Sequence, residues 1–426
     1  MRLTDDERAM LDGAQGEAMQ AAMDLLVRYG EVLGAERLVD TDNVCGANLF
    51  GSRHTMLCGS PEPDAVFSEL SLDASAPVTV PPVRAQSYQL IGPMDTKRWD
   101  VQGVDEAERD AIMQSETFSA EHGIHLMNTC TPYQVGNVPV KGEHCAWMES
   151  SAVVYVNSVL GARTNVEGRE STGAAMLTGK IPYWGLHLEA NRSATHHVRV
   201  RREISSDRDW GVLGYWVGEQ VQEGIPVLEG ITEVPNLVKL KHFGAAAASS
   251  GGVEMYHIPG VTAEARTVDE AYAGRAPAPV LEFGDDEYHA TYDQLCGTAR
   301  DRDVDLVMIG CPHATLGQVR EVCRLLEGRR VHPDSALWVF TPRALRQVAE
   351  QNGYARALAD AGAVLMSDTC PAIGQFLPKG TRVIATDSAK QVHYLPAIMN
   401  VQGWFGSLAE CVDAATTGRW EGNGGR

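Results

Sequence analysis

The stretch Leu306-Val-Met-Ile-Gly-Cys311-Pro312 sets an unbroken apolar run directly before a glycine, a cysteine and a proline. A run without polar alternation reads as a strand buried on both faces, and the proline stops it from continuing. Working outward, the pattern predicts helix over 288–299 and 315–327, strand over 336–340, helix over 342–361, strands over 363–366 and 382–386, and helix over 388–399. Strands alternating with helical segments of this length specify a parallel sheet with crossover helices. The fold class is therefore α/β, with a C-terminal α/β unit at about 286–400 and a terminal helix and tail over 406–426.

The same local context occurs twice more, in Ile124-His-Leu-Met-Asn-Thr-Cys130-Thr-Pro132 and in Ala363-Val-Leu-Met-Ser-Asp-Thr-Cys370-Pro371. Cys130, Cys311 and Cys370 are thus all expected at carboxyl ends of strands, where open α/β sheets bind ligands. Three thiols delivered there from distant segments point to one shared metal site. Taken singly, each could be an ordinary buried small residue, because free cysteine is among the most buried residue types. Of the other six, Cys296, Cys323 and Cys411 fall in predicted helices and read as core, whereas Cys45 and Cys58, in a Gly-rich loop, stay open as alternative ligands.

The chain has 426 residues and a formal net charge of −20. Nucleic acid and anionic membranes select for basic patches, so neither is an expected partner. No stretch approaches the roughly 20 apolar residues of a membrane span. A cytoplasmic protein is expected, whose cysteines are thiols or metal ligands instead of disulfides.

Toward the N-terminus, Thr4-Asp-Asp-Glu7 is a capping box, followed by two helical runs broken near Gly13 and Gly16. Residues 40–59 read as loop, 74–93 as short strands and turns, 105–122 as helix and 124–129 as strand, with sub-domain boundaries near 93 and 285. The Gly/Ala/Ser run over 243–252 is expected to permit tight helix packing. Between 136 and 168 the chain is dense in small and polar residues. Asn157-Ser158-Val-Leu-Gly-Ala-Arg163-Thr164-Asn165 offers a guanidinium fork suited to a carboxylate or phosphate, or else a structural arginine tying down a loop. Glu149-Ser150-Ser151 can supply a carboxylate and hydroxyls, or cap a helix. Asp387-Ser-Ala-Lys390 follows a strand and opens a helix, an anion-binding geometry carrying a lysine. His144, His187 and His313 are the histidines closest to these motifs.

These motifs, together with Thr129-Cys-Thr-Pro-Tyr133, Gly142-Glu-His144, Tyr183-Trp-Gly-Leu-His-Leu188 and Gly310-Cys-Pro-His313, closely resemble the large subunit of aconitase X over nearly the whole chain, to about residue 405. The resemblance implies a three-domain aconitase-like α/β body and an iron-sulfur cluster held by Cys130, Cys311 and Cys370, with 4Fe-4S expected and 2Fe-2S the alternative. It implies a hydro-lyase that dehydrates a small hydroxy acid. Arg163 is then the candidate carboxylate clamp, with Ser150, Ser151 and Lys390 as further catalytic candidates. Asn157, Ser158, Thr164, Asn165 and His187 are the candidate substrate-binding groups. The family's swivel domain, which contributes a serine thought to be the base, has no counterpart here, so a separate small swivel-domain subunit supplying the base is expected. The segment Asn43–His54 and the Pro-rich stretch after it depart from the family pattern. Among family substrates, cis-3-hydroxy-L-proline is preferred over mevalonate 5-phosphate, since a phosphate would call for more basic residues. A zinc-dependent lyase or hydrolase using the same thiols, and a non-catalytic scaffold, are the competing classes.

Overall fold

The computed structural model describes residues 1–46 and 80–422. Cys58 and much of the segments expected as loop and short strands lie outside the described residues. Thr4 caps the first helix, Asp5–Leu11: its hydroxyl accepts from Glu7 N, and the Glu7 carboxylate accepts from Thr4 N at 2.8 Å. Gly13 and Gly16, both at positive φ, turn the chain into the amphipathic helix Glu17–Val32. That helix lays Met19, Met23 and Leu26 on Arg169–Thr178.

Four strands make a parallel sheet beneath these helices: β2 (Val44–Gly46), β3 (Ser87–Gln89), β4 (Ile124–His125) and β5 (Ala146–Trp147), in the order β4-β3-β2-β5. Beside it, β1 (Leu38–Asp40) pairs antiparallel with β6 (Lys180–Pro182). The expected loop at 40–59 therefore begins as strand, and Cys45 is fully buried within it. Position 93 falls inside this sheet, because β3 before it pairs with β4 after it.

A second parallel sheet, ordered β8-β7-β9, joins β7 (His196–Val200), β8 (Pro226–Glu229) and β9 (Val280–Phe283). The helices Asp207–Val221 and Leu237–Gly251 beside it touch along small residues. A Cβ on Gly214 would stand 2.3 Å from the Phe243 carbonyl, and one on Gly251 only 1.8 Å from that of Gly218. The Gly/Ala/Ser run thus buys backbone-to-backbone contact.

The third sheet has the order β12-β11-β10-β13-β14, all parallel. Its strands are β10 (Leu306–Ile309), β11 (Ala336–Phe340), β12 (Val364–Met366), β13 (Val383–Thr386) and β14 (Gln402–Phe405). Alternate residues of β10 enter separate cores, Val307 and Ile309 on one face and Leu306 and Met308 on the other. This two-sided burial explains the unbroken apolar run. The chain adds β11 and β12 on one side of β10, then crosses to add β13 and β14 on the other. The order of strands reverses between β10 and β13, and the carboxyl ends there form the crevice in which such sheets bind ligands.

Two details differ from expectation. The single helix over 342–361 is two, Arg343–Gln351 and Tyr354–Asp360, because Gly353 takes φ +77° between them. The strand over 124–129 keeps only its first two residues, since the backbone turns left-handed at Asn128. The last helix, Leu408–Thr417, buries Cys411, Val412, Ala414 and Ala415 against the third sheet, so 406–417 belongs to that layer. Among the described residues no helix is long and apolar enough to cross a membrane.

Candidate active site

Each of the three cysteines stands one or two residues beyond a left-handed backbone position. Asn128 (φ +48°) precedes Thr129-Cys130, Gly310 (φ +101°) precedes Cys311, and Asp368 (φ +70°) precedes Thr369-Cys370. Asn, Gly and Asp are the residues that tolerate this conformation. The kink turns each strand end over the sheet. At Gly310 the room is also taken: a Cβ would lie 2.2 Å from the Phe340 carbonyl oxygen.

The three thiols meet in one electrostatic neighbourhood. Burial raises the pKa of all three, and Cys311 and Cys370 add to the rise at Cys130. Cys370 is pushed up to about 12 by burial and by Cys311. At Cys311 burial raises the pKa, and Lys390 and a hydrogen bond with Ser388 counter part of that rise. Cys311 and Cys370 are partly exposed, whereas Cys130 is buried.

His313 connects the three cysteine segments. Its backbone N donates to Cys130 Sγ at 3.3 Å, its Nδ1 meets Thr129 Oγ1 at 2.9 Å, and its Nε2 meets the Thr369 carbonyl at 3.1 Å. A carbonyl only accepts, so Nε2 carries the proton. Burial lowers the imidazole pKa to about 4, so the ring is neutral and Nδ1 accepts from Thr129. A second link lies one residue further back: Asn128 Nδ2 donates to Glu116, which pairs with Arg343, which pairs in turn with Asp368.

From the second sheet's layer, Lys241 reaches the same loop. Its ammonium donates to the carbonyls of Pro312 (3.1 Å) and His313 (2.9 Å) and to Gln318 Oε1 (2.8 Å), which occupies all three donors. Burial depresses its pKa to about 8. Asp387, beside the crevice, is pushed up to about 6 by burial, although Lys241 and the Gly310 backbone oppose this. Lys390, on the first turn of helix Ala389–Met399, is ion-paired with Glu149, which caps helix Ser150–Tyr155 of the first layer. Burial alone would lower the lysine pKa, but Glu149, Cys311 and Cys130 outweigh it and the net direction is up. Ser151 Oγ holds Glu149 at 2.8 Å. Ser150 is half-buried on the same turn.

Of the residues singled out by sequence, Cys130, Cys311, Cys370, Lys390 and Ser151 are thus brought together. Arg163 has other partners: its guanidinium donates to the His187 carbonyl and pairs with Glu189. Asn157, Ser158, Thr164 and Asn165 form a buried knot in which Asn157 also meets Arg192. The amide of Asn157 donates to the carbonyls of Thr164 and Glu254, Ser158 accepts from Tyr256 N, Thr164 accepts from Trp147 N, and Asn165 accepts from Leu186 N. Arg192 donates to Glu264 and to the carbonyls of Leu186, Asn157 and Ala162. His187 Nδ1 meets His144 Nδ1 at 2.9 Å, and burial takes its pKa to about 3. Glu149, His313, Lys241 and Asp387 join the site without being among the chosen candidates.

Three thiols are the donor type that both zinc and iron-sulfur centres take. Among the described residues no group of three His, Cys, Asp or Glu side chains is already arranged around a single metal ion. Around the thiols, Tyr133 Oη, Thr369 Oγ1 and Asp387 Oδ1 are buried without hydrogen-bond partners, as expected where a further group completes the site.

Fold and donor set together define an α/β protein built on three parallel sheets, with three thiols gathered near the carboxyl ends of the third. The family models of the aconitase X first, second and third domains match residues 1–190, 194–293 and 304–417. The phosphomevalonate dehydratase large subunit of Methanothermobacter thermautotrophicus is 38% identical over 395 residues, 92% of this chain and 93% of that protein. Cis-3-hydroxy-L-proline dehydratase of Hypocrea jecorina is 35% identical over 428 residues, 99% of this chain and 70% of that protein. The crystal structure of Thermococcus kodakaraensis aconitase X in its holo-form superposes with a TM-score of 0.81 at 30% identity, covering 97% of this chain and 100% of that one. The chain belongs to the aconitase X family, and it is a hydro-lyase.

Proposed function

We propose that this chain is the cluster-bearing large subunit of an iron-sulfur dehydratase, with Cys130, Cys311 and Cys370 as ligands of a 4Fe-4S cluster. The observation that carries the reading is the meeting of three thiols from two layers, with Cys311 at the strand-order reversal and Cys370 after the outer strand β12, beside the half-buried cation of Lys390. When bound, such a cluster supplies an open iron as Lewis acid for a departing hydroxyl.

The chain's own residues would do the rest. Ser388 and the backbone of His313 donate to Cys311 and Cys130 and so favour their thiolates. Of the two ammonium groups that these thiols feel, Lys241 has no donor left. Lys390 bonds Glu149 and keeps further donors for a substrate carboxylate. Ser151 and Lys390 together hold Glu149 ionised: its burial raises its pKa, and Lys390 and then Ser151 bring it below the usual range. Ser150 lines the same turn. Arg163 and the residues 157–165 are left out of the reacting set, since Arg163 is held by Glu189 and the His187 carbonyl and the side chains of Asn157, Ser158, Thr164 and Asn165 are engaged with backbone groups.

A small subunit supplying the base completes the reading, because relatives matched along nearly their whole length are named large subunits. A cytoplasmic setting belongs to it too, since thiolate ligands need a reducing compartment.

Cis-3-hydroxy-L-proline is the proposed substrate, because Lys390 and its carboxylate partner match one carboxylate better than a phosphate of charge about −2. Mevalonate 5-phosphate is the second reading, favoured by the 38% identity to a phosphomevalonate dehydratase large subunit. The test is anaerobic co-expression with the small subunit, counting iron, zinc and acid-labile sulfide, then following loss of water from each compound by mass spectrometry. Four irons and four sulfides per chain are expected of 4Fe-4S, and two of each would mean 2Fe-2S. A colourless protein with stoichiometric zinc would sink the cluster reading, and turnover of the phosphate alone would reverse the substrate.

A further inference from the structure

We propose that His313 is the positioning residue that sets the spacing of the three cysteine segments, acting on the cluster without ligating it. The inference rests on the cluster reading above. One side chain and its own backbone N reach all three segments: His313 lies two residues after Cys311, bonds Thr129 beside Cys130 and the Thr369 carbonyl beside Cys370, and donates to Cys130 Sγ. The Cys130 segment belongs to the first layer, and the other two to the third. The imidazole is therefore a strut between layers as well as between loops. Its two ring nitrogens face opposite kinds of partner, a hydroxyl that can donate and a carbonyl that can only accept, so one tautomer satisfies both.

The geometry separates the two halves of the strut by substitution. In His313→Gln the terminal amide nitrogen stands where Nε2 stood and can keep the bond to Thr369. In His313→Asn the amide oxygen stands near Nδ1 and can keep the bond from Thr129. His313→Ala loses both, and Thr129→Val removes the hydroxyl that meets Nδ1 together with its local bonds to Thr131, which Thr131→Val tests separately.

The experiment reconstitutes each variant anaerobically and measures iron and sulfide per chain, the electron paramagnetic resonance spectrum of the oxidised cluster, and the rate of iron loss to a chelator. Thermal melting of the apo-protein checks the fold. Wild type is expected to lose iron slowest and His313→Ala at least tenfold faster with an altered spectrum. His313→Gln and Thr129→Val should fall between them, each retaining the Thr369 bond. Equal iron content, spectrum and loss rate in wild type and His313→Ala would overturn the proposal. Should His313→Ala not fold, Thr129→Val decides: an unchanged loss rate there overturns it equally. Wild-type protein that takes up no iron and sulfide would instead defeat the cluster reading, a result seen before any variant is compared.

Discussion

Lys390 and Glu149 form an ion pair across two layers of the protein, one at the first turn of a third-layer helix and the other capping a first-layer helix, and the three thiols lie around it. The pair joins the two halves of the site and also sets the local charge. Glu149 raises the pKa of Cys130, Cys311 and Cys370, while Lys390 lowers that of Cys311 and Cys370. Neither member can leave without consequence for the other.

Lys390→Met should therefore destabilise the chain by up to about 3 kcal/mol, the low end of the cost of stranding a buried charge, because both side chains keep some contact with solvent. In Lys390→Met with Glu149→Gln most of that loss should return, because no lone charge remains. Turnover should stay abolished in both, since the cation is gone. Urea denaturation of the two variants gives the first comparison and single-turnover assays the second. Equal instability of single and double variants would show that the pair is not coupled.

Gly310 holds Cys311 by geometry alone. Its φ of +101° and the Phe340 carbonyl 2.2 Å from any Cβ leave no place for alanine. Gly310→Ala should cost more than about 1 kcal/mol and reduce reconstituted iron, while Gly328→Ala, at φ +70° with open space around it, should share the strain but keep its iron. Iron counts on the two variants, taken with their melting temperatures, test this.

Much of this site is legible in the sequence, and for definite reasons. The strand-cysteine-proline pattern follows from two-sided burial of β10 and from the turn after each strand. Asn128, Gly310 and Asp368 carry a further signal, since all three belong to the small set that accepts positive φ, yet only their shared placement before cysteine makes them readable. Lys241 is not legible: it sits in a helix of another layer, and nothing near it in sequence announces a loop some 70 positions away. Glu149 reads either as a site carboxylate or as a helix cap, and it does cap Ser150–Tyr155, while its pairing with Lys390 spans 241 positions. The polar density over 157–165 serves buried backbone: Ser158, Thr164 and Asn165 accept from the N–H groups of Tyr256, Trp147 and Leu186, and Asn157 also meets Arg192, a guanidinium buried nearly completely.

Arg192 should accordingly matter for stability and not for chemistry. Its donors serve Glu264 and the carbonyls of Leu186, Asn157 and Ala162. Arg192→Met strands these acceptors and the Glu264 carboxylate, and a loss of about 3–5 kcal/mol is expected. Iron content per folded chain and the KM of the assembled enzyme should stay within about twofold of wild type, well under the tenfold that 1.4 kcal/mol represents. A tenfold rise in KM would instead put the 157–165 knot in the substrate pocket.

Glu167 gives the stability of the chain a pH dependence that can be isolated. Burial pushes its carboxyl from 4.5 up to about 7, the neighbouring Glu254 adds to the rise, and Ser171, Tyr29 and Asn165 offset only part of it. Neither carboxylate oxygen makes a hydrogen bond of normal geometry. Between pH 4.5 and about 7 the folded chain keeps a proton that the unfolded chain has released. Stability attributable to this group therefore falls as pH rises through that window, by up to about 3 kcal/mol, and is constant on either side of it. Glu167→Gln removes the titration while keeping the shape. The stability of the variant minus that of wild type should be smallest near pH 4.5 and should grow by up to about 3 kcal/mol by about pH 8. Urea midpoints measured across that range test the sign directly: a difference that shrinks with rising pH would mean that Glu167 is ionised and paired in the folded chain.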